Sequence, residues 1–225
     1  MSSLLKIAGV LDYFPRTLGR YAGWLILPLI FVIMFDVITR KIDFFRIGMS
    51  ELTWYWLIEP IKLQDMEWHL HGVLLLMSFG LGYLMNSHVR VDIFREMLPR
   101  RKQAWVEFWG LALMAIPYCL LITYFAWKFV ALSFSQGEGS ESLTGIPNRY
   151  IVKSFTVIGF GLLLSACIAT FLRLWVYLFG NDEEKEQALD VLAIFPAEIS
   201  VEAVAETIPG IEDDPLHITD KKEED

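Results

Sequence analysis

The sequence has little of what catalytic or metal-binding chains usually carry. Its 225 residues include two cysteines, Cys119 and Cys167, each near the middle of a different hydrophobic segment and far from any Cys-x-x-Cys or His-rich spacing. That argues against a disulfide framework or a thiolate metal site, and both read as small apolar packing residues. Of the four histidines, His69 and His71 flank the start of one hydrophobic segment, His88 follows its end, and His217 lies in the acidic C-terminal part. The other hydrophobic segments contain none. A bis-histidine haem would need both ligands from one helix, on opposite sides of a membrane, so haem is not expected. No Ser/His/Asp set, glycine-rich phosphate loop or metal-binding helix motif occurs, so neither an enzyme nor a cofactor is expected. No segment alternates with period two, which excludes a membrane β-barrel.

What the chain does have is apolar mass: 55% hydrophobic and 14% aromatic residues, with mean hydropathy +0.44, above the range of ordinary soluble domains. A window of about 20 residues, the length that crosses ~30 Å of hydrocarbon, selects Tyr21–Ile38, Trp68–Met85, Ala104–Leu132 and Ile151–Phe179. Lipid offers backbone groups no partners, so these predict an all-α bundle of four transmembrane helices. Lys6, Arg16 and Arg20 precede the first segment without an Ala-x-Ala-like cleavage site, so it reads as a retained helix. The charge is uneven. Residues 181–225 carry 15 acidic and 3 basic side chains, a net −12, against +4 for residues 1–180. The chain therefore divides into a transmembrane domain, 1–180, and an acidic, disordered cytoplasmic tail, 181–225. Arg90, Arg95, Arg100, Arg101 and Lys102 fall within 13 residues between the second and third segments and place that loop in the cytoplasm. Both termini follow it there, an N-in/C-in topology. Arg40, Lys41, Arg46 and Lys62 in the first loop weaken this bias.

Several features invite a role and also have plainer explanations. The first loop gathers Trp54, Tyr55, Trp56 and Trp68, aromatics suited to the membrane interface. With Ser50 as a start and Pro60 as a stop, Glu51–Glu59 reads as a short interfacial helix on the periplasmic side. Asp36 is a carboxylate inside the first span, a position that is by default functional. Arg40 lies one helical turn on, however, and a local ion pair accounts for it. Gly161, Ser165 and Ala169 form a small-residue stripe on the fourth span that admits a neighbouring helix, within the bundle or from a partner.

After the short second span, His88-Val89-Arg90-Val91-Asp92 resembles the signature of the small membrane subunits of tripartite ATP-independent periplasmic (TRAP) transporters. Leu63-Gln64-Asp65-Met66-Glu67-Trp68-His69-Leu70 resembles the segment that opens span two in the mannitol/chloroaromatic-type branch. Gly137-Glu138-Gly139-Ser140, Gly145-Ile146-Pro147-Asn148-Arg149-Tyr150 and Lys153 resemble that branch's loop and entry into span four. The resemblance covers about residues 16–173 and implies a small permease subunit of a secondary active, sodium-coupled importer of small organic acids in the bacterial inner membrane. Its implied partners are a large membrane subunit, which it scaffolds, a periplasmic substrate-binding protein and the lipid bilayer, with no nucleic acid. Glu67, Trp68, His71, His88, Arg90 and Asp92, with the Gly161, Ser165 and Ala169 stripe, are candidates for subunit contacts or structure. Trp54, Trp56, Glu138 and Arg149 are candidates for docking the binding protein. Two other classes fit the helices: an autonomous small transporter relying on Asp36, and a membrane anchor of a redox enzyme, which the histidine pattern disfavours. The family usually ends soon after span four, whereas this chain continues, and truncation near Asp182 is expected to be tolerated.

Overall fold

The computed structural model describes residues 3–42, 44, 47–48, 51, 53, 55–87, 98–142, 144–189 and 192. Among these the protein is helical throughout. Helix α1 runs Ser3–Lys41, with one 3-10 turn at Gly23–Leu25. Helix α2 is Pro60–Leu84, α3 is Arg100–Ser135, α4 is Tyr150–Phe179 and α5 is Asp182–Leu189. Three of these, α1, α3 and α4, are long and apolar enough to cross a membrane. Helix α2 has 25 residues, but Lys62, Asp65, Glu67, His69 and His71 dilute the hydropathy of its first half.

Helix α4 lies at the centre and packs on α2, α3 and the first half of α1, while the second half of α1 lies along α2. The buried positions of the first half of α1, Leu5, Ala8, Asp12, Pro15, Gly19 and Ala22, recur every three or four residues, which puts them on one helical face. Ile7, Val10, Phe14 and Tyr21 on the opposite side are exposed, as suits a surface turned to lipid or to another subunit. Close approach is arranged by three glycines. A Cβ at Gly80 would lie 2.8 Å from Pro15 Cβ and 2.9 Å from Leu162 O, one at Gly159 2.6 Å from Leu76 O, and one at Gly19 2.5 Å from Leu81 Cβ. Only a missing side chain lets α1, α2 and α4 come this near.

In α3 a π turn at Leu111–Ala115 precedes Pro117. Proline has no N–H to continue the i to i−4 ladder, and the wider turn absorbs that break. Nearby, Phe108 stacks on Phe171 of α4 with ring centroids 4.7 Å apart, and Trp105 meets Phe179 edge-on at 5.7 Å.

The structure corrects several boundaries. The first helix begins at Ser3, eighteen residues before the expected span, because the preceding segment is amphipathic and has a bundle face to bury. In place of a helix over Glu51–Glu59, the described residues there form a 3-10 turn at Tyr55–Leu57. Pro60 opens α2 instead of ending its predecessor: its ring presets φ, and the N–H it lacks would be unpaired at a first helical turn. Gly161 has nothing within 4 Å of where a Cβ would be, so within this chain the close contact falls to Gly159. Ala169 is fully buried, and Ser165 is half-buried, its hydroxyl donating to Leu162 O at 2.8 Å.

The compact unit also passes the expected boundary at residue 180 and extends through Ile194. Ala188 and Leu5 are buried in one cluster with Val176, flanked by Leu4 and Tyr177. Apolar residues among the first acids of the tail supply the face that docks α5. Residues 195–225 form the other unit and lie outside the described residues, as do His88, Arg90, Asp92 and Trp54.

Candidate functional site

Two charged constellations lie at opposite ends of the bundle. One is compact. The Asp12 carboxylate, 4% exposed, accepts from Arg173 Nη2 at 2.7 Å and from Arg16 Nε at 2.9 Å through the same oxygen, Oδ2. It joins α1 to α4 across 161 residues of sequence. The other is spread over the first turns of α2, the end of α3, the loop 136–149 and the start of α4, and it is the better candidate for function.

Asp65 organises this second end. Its Oδ2 accepts from the Ile146 N–H at 2.9 Å and its Oδ1 from Trp68 Nε1 at 3.2 Å. Burial pushes the Asp65 carboxyl up, but the hydrogen bonds from Ile146, Ser140 and Trp68, with His69 beside it, hold it below the usual carboxylate value. The loop can wrap this carboxylate because Gly145 has no side chain: a Cβ there would sit 2.6 Å from Asp65 Oδ2 and collide with Ser140. Gly137 at φ +59° and Asn148 at φ 61° turn the chain through left-handed geometry, which glycine and asparagine tolerate best. Backbone bonds from Glu138 N to Ser133 O (3.1 Å) and Arg149 N to Glu138 O (3.0 Å) close the loop onto the two helix ends.

The side chains then interlock. Lys153 Nζ donates to Glu138 Oε2 and stands 4.0 Å from the Phe129 ring centroid. The hydrogen bond from Lys153 holds the Glu138 carboxyl below its usual value. The Arg149 guanidinium lies 4.9 Å from the Trp68 ring centroid, within cation–π range, and Trp68 stacks on His69 at 4.3 Å. Together Trp68, His69, Phe129, Glu138, Arg149, Val152 and Lys153 line a pocket of about 370 Å³. On the neighbouring side of α2, Arg40 pairs with Asp36 at 2.8 Å and donates to Pro60 O at 2.9 Å. This ties the end of α1 to the start of α2, so the Asp36 ion pair read from the sequence has a third partner.

Three of the blocks that carried the sequence resemblance gather here, 63–70, 137–140 and 145–150, with Lys153; the fourth, 88–92, lies outside the described residues. The family model described as "Tripartite ATP-independent periplasmic transporters, DctQ component" matches residues 29–176. The chain belongs to this family. No curated protein and no solved structure matches it at a significant level.

In this DctQ-family chain the expected site residues are distributed unevenly. Trp68, Glu138 and Arg149 meet in the pocket lining. Trp56 is exposed and stands apart, its carbonyl accepting from Lys62 Nζ at 2.5 Å. Glu67 is half-buried and His71 exposed; neither lines the pocket. Gly161, Ser165 and Ala169 lie along α4, away from both charged ends. Three residues of the constellation went unmarked in the sequence. They are Asp65, His69 and Lys153, none of which has a local sequence pattern that names a role. The spacing of Asp65, Trp68 and His69 was a usable signal for a carboxylate and its donor one turn apart; their meeting with the distant loop was not. Among the described residues no group of three or more His, Cys, Asp or Glu side chains is placed to hold a metal ion. The DctQ family is one of transporter components and not of enzymes, and the three apolar helices make this a multi-pass membrane protein.

Proposed function

We propose that the chain is the small permease subunit of a sodium-coupled TRAP importer for a small organic acid, of the mannitol/chloroaromatic-type branch, in the bacterial inner membrane. In this reading α2 is the fourth transmembrane helix and both termini face the cytoplasm. The Asp65 and Arg149 end faces the periplasm. The apolar outer surfaces of α1 and α3 then meet lipid and the large membrane subunit, which the bundle holds in place. The loop 136–149 docks the periplasmic binding protein.

The observation that carries this reading is the convergence at one end of the bundle. Family-matching segments far apart in sequence meet there and form a rigid, partly exposed polar surface, while Trp24, Phe31, Leu113, Met114 and Phe125 leave the helix flanks broadly apolar and exposed. A scaffold between lipid, a membrane partner and a soluble partner needs that division. A tagged chain purified from its native membrane should bring down a many-spanning subunit in near-equal amount. A photo-crosslinker in place of Glu141, whose side chain is 96% exposed, should capture the binding protein. A chain that comes alone and transports solute when reconstituted alone would overturn the scaffold reading. Crosslinks formed only with cytoplasmic proteins would overturn the orientation.

A further inference from the structure

The pocket beside Arg149 has the features of a ligand site, and nothing in the scaffold role requires it. We propose that it binds one monoanionic oxyanion group, a carboxylate or a phosphodiester, with Arg149 as the counter-cation and the rings of Trp68, His69 and Phe129 as its aromatic lining.

The charges decide between anion and cation. Of the two basic side chains in the lining, Lys153 is committed to Glu138, the one acid in the lining, and that pair is internally neutral. Arg149 has no equivalent partner. Its nearest carboxylate, on Glu141, stands at 3.9 Å on a side chain that is 96% exposed, a separation and exposure at which an ion pair is weak. Its face is instead covered by Trp68, which leaves the planar fork free to meet an oxyanion edge-on. Arg149 also stands at the N-cap of α4, whose first turn carries no acidic side chain. The positive end of the helix dipole therefore adds to the same potential.

The ring of His69 is part of the lining with those of Trp68 and Phe129 and is itself 6% exposed, so the charge of Arg149 stands beside a largely aromatic wall. Asp65, beside the pocket, is occupied by Ile146 and Trp68. At about 370 Å³ the pocket is within the range of small-ligand sites. It can take a carboxylic acid carrying a ring or short chain, or the phosphodiester of a lipid whose acyl chains run down past Val152. This inference does not depend on docking by the loop, since the pocket fills or stays empty with the isolated chain.

The test uses the purified, delipidated full chain in detergent. Benzoate and its neutral analogue benzamide are titrated with binding read by saturation-transfer NMR, and phosphatidylglycerol is added in parallel with native mass spectrometry as the readout. Saturable benzoate binding that benzamide does not match, weakened at least tenfold by Arg149→Gln and unchanged by Lys128→Gln, supports the site with a free carboxylate as its source. One phosphatidylglycerol retained per chain and lost in Arg149→Gln supports it with a lipid as the source. Equal binding of benzoate and benzamide, no binding of benzoate or lipid, or binding indifferent to Arg149→Gln would overturn it. The benzoate and benzamide comparison on the unmodified protein stands even if a variant fails to fold.

Discussion

The two ends of the bundle solve the same problem, holding α4 against its neighbours with polar groups, in opposite ways. At the end where α1 begins, one buried carboxylate paired with buried Arg173 and half-exposed Arg16 joins helices 161 residues apart. Around it lie an aromatic cluster and the docked α5. At the other end the work is divided among buried Asp65 and the more open Trp68, Glu138, Arg149 and Lys153. A concentrated, desolvated pair makes a joint that fails all at once. A distributed, wetter network makes a surface that can exchange partners without loosening the bundle, which suits a docking face and a ligand pocket.

The comparison is broken most sharply by Arg173→Met. It leaves the Asp12 carboxylate buried against Arg16 alone, and removing one partner of a buried pair costs about 3–5 kcal/mol. Thermal unfolding in detergent should show that loss, and the double variant Asp12→Leu with Arg173→Met should recover most of it; a single variant as stable as the parent would remove the contrast. At the other end Asp65→Ala strands the Ile146 N–H and the Trp68 indole N–H, at a cost of about 1–3 kcal/mol. The effect should be local: limited proteolysis within 137–149 rises several-fold while the global transition moves less than for Arg173→Met.

Truncation separates the ends again. Ending the chain after Asn181 removes buried Ala188 and Leu192 and should cost on the order of 2 kcal/mol, the value of burying a large aliphatic side chain. Ending it after Ile194 should cost nothing measurable, as a pair of melting curves would show. This replaces the expectation that a cut at Asp182 is harmless.

The smallest effect is that of acid. Asp65 and Glu138 sit below their ordinary values in the folded protein. Their contribution is therefore fully present above the unfolded carboxylate range of about 4 and is lost as pH falls through the lowered folded values. Protease sensitivity of the loop should rise as pH drops below about 4 and fall again on return to neutral pH; a loop equally protected at pH 3 and pH 7 would show that these hydrogen bonds do not hold it.

Much of this was legible in the residues. Apolar runs of helix-spanning length announced a helical membrane protein, and the blocks around Trp68, Glu138 and Arg149, with residues 88–92, pointed to the family. What could not be read was pairing at a distance. In the sequence Asp12 is an acid ahead of the first span and Arg173 a basic residue within the fourth. Nothing in local spacing indicates that they touch. Within the small-residue stripe Ala169 is fully buried while Gly161 has no neighbour within 4 Å of a Cβ position, because which side of α4 meets α2 depends on how the helices rotate. Pro60 could end one helix or begin another, and the packing of α2 along α1 selected the second.

Sequence by itself determined the class: lipid leaves a backbone with long apolar runs no alternative to helices, and period and length are local properties. Tertiary structure alone decided which charges are buried together, which glycines are touched and that a pocket opens between α2, α3 and α4. Those depend on helix rotation and on loop closure, where energies from residues far apart in the chain are settled together.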